Sequence, residues 1–395
     1  MSDALYRNAA GQDVTHASYS ARLDFKKCPR YFQLSRCEGW RDKTERAAPL
    51  FGRCIESSLQ FFEESKRAPG TGAAMFSDLW AKVKTTENFD KLEFTATEGN
   101  WDQLLRAGQE MMRLYEAVAP SLPIVNPLFQ QTVKKQLFPG SALAGLQNKA
   151  IYDVLSFPAW DHPLLPKISQ PDRACGEPDV TRPLIIDIKT SGVNLDPALV
   201  MLDPQLAEYA WMARIPDVAF LWFVKHGHSI KEGSKVTLLR DTGGILAGTE
   251  LYVVVDDSKD DEGRVYLGDL SILGMYEEAV KGLRGGNREA KKQEFRQGKF
   301  VVQCSPSDIT KQRLQFVAVR FTEEQMNDIG RDVAQATVEM NRAHEEGYYG
   351  MTGRGIRFPN NTCSFCGMRW ICLGNSEQRD QNLSRKGDEW LDADD

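Results

Sequence analysis

Two short runs in the middle of the chain constrain its fold more than any other feature. Residues 149–157 (KAIYDVLSF) and 183–190 (PLIIDIKT) are rich in β-branched and aromatic residues, and a segment dense in Pro, Asp and Gly separates them. Both read as strands joined by a loop. Each carries a carboxylate inside its apolar run, Asp153 in the first and Asp187 in the second. A charged group there must be paired, exposed or bound to a cation, because burying it uncompensated is costly. Farther on, Asp203 to Arg214 has helical spacing, and residues 218–225 (VAFLWFVK) form a short apolar run suited to a buried strand. The order strand, strand, helix, strand predicts an α/β core.

Around that core the periodicity is mostly helical. Leu23, Phe25, Tyr31, Phe32 and Leu34 follow helical spacing with a break at Pro29, and a second helix is expected over Phe51–Glu64. Residues 65–140 read as mostly helical, on Phe76, Leu79, Trp80 and Val83 and then Leu104, Leu105, Met111, Met112 and Leu114. Gln315 to Phe321 reads as a strand. Thr322 and Gln325 form a capping box ahead of a stripe of Met326, Ile329, Val333, Ala336 and Met340, and that helix should stop near Gly347. These signals divide the 395 residues into a tail (1–17), opening helices (18–64), a helical insertion (65–140), a core (141–225), a β-rich and basic insertion (226–310), a closing strand, helix and cysteine group (311–375), and an acidic tail (376–395).

In residues 185–190 (IIDIKT) the strand period of two places Asp187 and Lys189 on one face and Ile188 on the other. A carboxylate that can hold a hard divalent cation beside an ammonium that can orient a water is what metal-assisted phosphodiester hydrolysis requires. The ordinary alternative for so short a motif is a surface ion pair at a strand end. Asp153 sharpens the choice: if its strand lies beside that of Asp187, the two carboxylates repel unless a cation such as Mg2+ or Mn2+ sits between them. Asp179, beside Pro178 in loop-like surroundings, is the competing acid. Glu56, in the first half of an apolar helix behind Gly52, is a further oxygen donor. Gln205 and Tyr209 lie four apart on one helix face, where they could contact phosphate or hold the lysine; each also suits plain surface or capping duty.

The order Gly-x-x-x-Glu, Asp, Asp-x-Lys, Gln-Leu-x-x-Tyr resembles the PD-(D/E)XK nuclease superfamily, in particular its RecB-like branch. The resemblance implies a restriction-endonuclease-like mixed sheet flanked by helices. It also implies a metal site of Glu56, Asp153, Asp187 and the Ile188 carbonyl, with Lys189 at the nucleophile and Gln205 and Tyr209 in support. This chain has Glu56 where many relatives carry His, and a longer interval than usual between Asp153 and Asp187.

Cys363, Cys366 and Cys372 fall within ten residues of one another near the C-terminus. The run from Met1 to Asp13 lacks an apolar signal core, so a reducing, cytoplasmic setting is expected and the eight cysteines suggest metal or free thiols over disulfides. One close pair plus a single cysteine needs a fourth ligand. Cys28 is the first candidate and Cys37 the second, while Cys54, Cys175 and Cys304 read as buried thiols. A remote cysteine followed by Cys-x2-Cys-x5-Cys is similar to the iron-sulfur nucleases, namely the AddB nuclease domain and the CRISPR adaptation nucleases related to RecB. That resemblance implies a 4Fe-4S cluster on Cys28, Cys363, Cys366 and Cys372, with zinc as the alternative. Joining residues so far apart would staple the ends of the fold, because closing a long loop removes much chain entropy.

The formal net charge of −6 argues against adhesion to nucleic acid by the whole surface. Local basic stretches at 22–46 and 281–299 remain candidates for following a phosphate backbone, or are solvated helix faces. No run approaches the roughly 18 apolar residues of a membrane span. The reading is a metal-dependent DNA nuclease, expected to be an exonuclease on single-stranded or end-bearing DNA, in recombination, repair or phage- or CRISPR-type processing. A non-cleaving iron-sulfur or zinc module that binds DNA within a larger complex is the alternative, and a helicase or recombination partner is conceivable in either case.

Overall fold

The computed structural model describes residues 4–85, 92–95, 99–138, 145–168, 181–225, 233–238, 241–255, 265–269, 273–298, 302–304, 309–311, 314–350, 363 and 366–385. Asp179 and Cys175 lie outside them.

A six-stranded mixed sheet organises the chain. Its strands are β1 (His16–Ser18), β2 (Leu128–Gln136), β3 (Gln147–Ser156), β4 (Leu184–Ser191), β5 (Asp217–Val224) and β6 (Leu314–Arg320). β4 and β5 run parallel, joined across the helix α5 (Pro204–Ala213), while β6 closes one edge antiparallel to β5. A parallel pair needs such a crossover, whereas the antiparallel β3 and β4 do not.

The other end of the sheet forks. β2 runs antiparallel along β3 on one edge. On the opposite edge β1 pairs at Gln147–Lys149 and β4 pairs at Val154–Ser156. Between those two partners, residues 150–153 of β3 have no strand on that edge among the described residues.

Helices cover both faces. α2 (Ala47–Glu64), α3 (Thr71–Val83) and α4 (Trp101–Val118) pack over Val154, Ile186, Ile188, Ala219, Leu221 and Phe223 through buried Phe51, Phe76, Trp80 and Tyr115. The opposite face, with Tyr152, Ile185, Val218 and Phe220, is covered by α5 and flanked by α6 (Glu323–Glu346). Burial of sheet residues on both sides explains why β4 and β5 read as continuous apolar runs. α6 keeps the expected ends: Thr322 and Gln325 make both bonds of the capping box, and Gly347 closes the helix at φ +61°.

One expectation gains a strand and another needs correction. Residues 65–140, read as mostly helical, include the nine-residue strand β2. Its residues alternate only between exposed and half-buried, so Leu-Phe-Gln-Gln-Thr-Val-Lys-Lys-Gln carries no full apolar alternation to announce it. Arg22, counted with a solvated basic face, is buried. It bonds to Asn148, Glu208 and, at 3.1 Å, the Ala17 carbonyl, and Asn148 donates to Glu208 at 2.9 Å. This network ties α1 (Tyr19–Lys27) to β3 and α5.

A separate five-stranded antiparallel sheet holds Lys235–Leu238, Glu250–Val255, Val265–Asp269, Val302–Cys304 and Ile309–Lys311, next to the helix Gly285–Gly298. On that helix Lys291 and Lys292 pair with Glu294 and Glu289.

Candidate functional site

The fork between β1 and β4 is where the acids gather. The β3–β4 ladder ends with Val154 opposite Ile186, so the next step of the register brings Asp153 alongside Asp187. Asp153 Oδ2 accepts a 2.7 Å hydrogen bond from the Ile188 amide. Asp187 is 1% exposed, and the Lys189 ammonium stands 2.8 Å from its Oδ2. Apart from that ammonium, Asp187 Oδ2 has no hydrogen-bonding partner among the described residues. Ile188 turns into the core on the other face, as the strand period requires.

Glu56 reaches the same place from α2. Gly52, one turn earlier, brings that helix against β4: a Cβ added there would stand 3.5 Å from Thr190 Oγ1. Glu56 accepts from the side-chain amide of Gln130. Gln130 lies on β2 opposite Asp153, the one position its ladder skips, and has φ +51°. A non-glycine residue in that region stores backbone strain, a feature concentrated at functional sites.

From α5, Gln205 Nε2 donates to the Tyr209 hydroxyl at 2.7 Å, and the Tyr209 ring meets Tyr152 edge to face at 5.0 Å. Asp203 caps α5 by accepting from the Leu206 amide at 2.9 Å, and its charge reaches Asp187, Lys189 and Tyr19.

Electrostatics bind the group together. Burial, followed by repulsion from Glu56, pushes the Asp153 carboxyl up to about 7. Burial, followed by repulsion from Asp153, does the same to Asp187, also to about 7. Glu56 rises for the same reasons, burial first and Asp187 second. Burial works against the Lys189 ammonium, yet Asp187, Asp153 and Asp203 outweigh it and hold its pKa above that of a free lysine. Tyr209 is pushed well up by burial and by the Asp187 and Asp153 charges, so its hydroxyl stays protonated.

One ammonium faces three crowded carboxylates. The donors are all oxygen, the chemistry that suits a hard divalent cation such as Mg2+ or Mn2+. Among the described residues no group of three or more His, Cys, Asp or Glu side chains is placed to hold a metal ion as it stands. Asp153 is turned to the Ile188 amide, Glu56 to Gln130 and Asp187 toward Lys189. The donor set fits the ion, and closing around it asks those side chains to exchange these partners.

A family profile described as the PD-(D/E)XK nuclease superfamily matches residues 16–373. The chain belongs to the PD-(D/E)XK nuclease superfamily. Members of this superfamily are phosphodiester hydrolases that act on DNA with divalent metals such as Mg2+ or Mn2+, and the mixed sheet flanked by helices is the superfamily's fold. No curated protein matches the chain significantly. A solved structure described as "Crystal structure of SSO0001" aligns at 12% identity over 52% of this chain and 72% of its own, with a TM-score of 0.19, too low to support any comparison of detail.

The sequence singled out Glu56, Asp153, Asp187, Lys189, Gln205 and Tyr209, and all six lie around this fork. It gave no role to Gln130, Asp203 or Tyr19. Asp203 had a readable signal, an Asp before Pro at a helix start. The other two arrive through strand and helix placement alone.

The cysteines form a second constellation. Burial raises the Cys366 and Cys372 thiols, with Cys28 and Cys363 close enough to add to both shifts. Cys37, the second candidate for a fourth ligand, is pushed up to about 12 by burial and shares a hydrogen bond with Tyr349. Cys54 is raised to about 11 by burial, and Cys304 is buried. Among the described residues no helix is long and apolar enough to cross a membrane.

Proposed function

We propose that this superfamily member cuts single-stranded or end-bearing DNA as an exonuclease of the RecB-like branch. The observation that carries the reading is the buried approach of Asp153 to Asp187 with Lys189 2.8 Å from the second acid. Glu56, Asp153, Asp187 and the Ile188 carbonyl would hold one or two Mg2+ or Mn2+ ions. When bound, such an ion polarises the phosphate and acidifies its water. Lys189 Nζ orients the attacking water against the scissile phosphate. The Tyr209 hydroxyl, fixed by Gln205, donates a hydrogen bond toward a phosphate oxygen. Burial by α5 and the sheet keeps bulk water from competing with these contacts.

Cys28, Cys363, Cys366 and Cys372 hold a structural 4Fe-4S cluster in this reading. Its support is the shared electrostatic neighbourhood of these four cysteines. The division of the chain into core and insertions, a helicase or recombination partner and a reducing cytoplasmic setting belong to the same proposal.

Anaerobic purification tests both halves on one sample. The expected results are a brown protein with about four irons per chain, and Mn2+-dependent release of nucleotides from single-stranded DNA. Asp187→Ala should abolish cleavage while retaining iron and DNA binding. A colourless protein containing zinc would overturn the cluster, and undiminished cleavage by Asp187→Ala would overturn the site.

A further inference from the structure

The segment leaving the catalytic strand exposes three large aliphatic side chains: Val193 at 66%, Leu199 at 56% and Leu202 at 75%. They lie between Lys189 and Asp203, two residues whose charges act on each other. The segment carrying them is anchored. The Trp222 indole donates to the Val193 carbonyl at 2.9 Å, and Gln315 both donates to Leu195 O and accepts from Leu195 N. Val200 plugs into the core at 1% exposure, Asp196 caps the turn Pro197–Leu202 by accepting from Ala198 N, and Asp203 N closes on Val200 O. In the β4–β5 register Trp222 stands next to Lys189, so the anchor belongs to the same row of the sheet as the catalytic lysine. Tyr19 of α1, which feels both Asp203 and Lys189, has Leu23 one turn beyond it on the same helix face, 50% exposed.

Leu199 and Leu202 are three apart in the turn Pro197–Leu202 and so fall on one side of it, and exposed apolar side chains grouped in this way mark a binding surface. The occupant must also tolerate the phosphate chemistry next door. We propose that Leu199 and Leu202, with Val193, form an apolar shelf for the unpaired nucleobases flanking the scissile phosphate. Unpaired bases offer flat, poorly hydrated faces immediately beside a phosphate, whereas a paired duplex turns those faces inward. The shelf thus makes single-strandedness at the cut site a binding requirement. This rests on the nuclease reading and adds to it the residues that select the single strand.

The test is binding without turnover. Fluorescence anisotropy in Ca2+ compares wild type with Leu199→Gln/Leu202→Gln, on a single-stranded DNA oligonucleotide and on the same backbone bearing tetrahydrofuran abasic sites. Two apolar side chains are worth about tenfold in affinity here. Wild type should bind the abasic strand about that much more weakly, and the double variant should bind both strands equally, at the weaker level. Leu199→Met/Leu202→Met should restore the preference, which a merely misfolded variant would not allow. Equal binding of intact and abasic strands by wild type, or a preference retained by the glutamine variant, overturns the shelf. Cleavage is not read, so a cutting Asp187→Ala variant would end the catalytic assignment and leave this result standing.

Discussion

At Asp153 and Asp187 the pH dependence has a definite sign. Both carboxyls stand at about 7 against 3.8 for the ordinary group. Between those values the folded, metal-free protein holds more protons than the unfolded chain, so its stability falls as pH rises through that window and levels off above it. Urea midpoints in EDTA should therefore decline from about pH 4 to about pH 7, and Asp153→Asn/Asp187→Asn should flatten that decline. Mn2+ should raise the midpoint most above pH 7, where both carboxylates are charged without cost to the ion. Much of this was legible in the chain itself: a carboxylate inside a β-branched run announces an unusual environment, and the strand period put Asp187 with Lys189. Tyr19 and Gln130 were not legible, because what recruits them is the parting of two strands and one residue at φ +51°.

Among the elements, α1, β3 and α5 are locked by Arg22, Asn148 and Glu208, a charged group with 3% and 2% exposure at its two ionic members. Removing one partner of such a pair leaves an unpaired buried charge. Arg22→Met should cost about 3–5 kcal/mol in urea denaturation, and adding Glu208→Leu should recover much of that loss. A loss below about 1 kcal/mol for the single variant would mean that water compensates Glu208. The strands β4 and β5 and the helices α5 and α6 could be read from apolar runs and caps, since both sheet faces are covered and the ends obey local rules. β2 could not, because an edge strand with half-exposed residues on either side needs its partner β3 to define it. Arg22 was misread for a related reason: its helical neighbours are charged and exposed, and only the tertiary fold supplies Glu208.

Across the whole molecule, residues 30–42 meet residues 350–385. Leu383–Arg385 pairs antiparallel with Trp40–Asp42, Arg30 N donates to Gly350 O at 3.1 Å, and Leu34, Met368 and Leu383 share a small core. The proposed cluster cysteines lie in or beside these same regions, so a cluster there would reinforce a closure that hydrogen bonds and packing already make. Cys363→Ser should lose iron and lower the thermal midpoint, with Mn2+-dependent cleavage persisting below that midpoint, whereas Asp187→Ala should keep its iron and lose cleavage. Cysteine spacing and family resemblance suggested this closure; the pairing of residues 40–42 with 383–385 had no signal in the sequence, since three-residue strands carry no period.

The fork at Asp153 and Asp187 is the centre of the account, and cleavage of an end-labelled single-stranded DNA oligonucleotide tests it most directly. Wild type and Asp187→Ala, matched for iron content, are each assayed with Mn2+ and with EDTA. Wild type should cut with Mn2+ and not with EDTA, and the variant should cut under neither condition. Equal cutting by the two proteins would contradict the account.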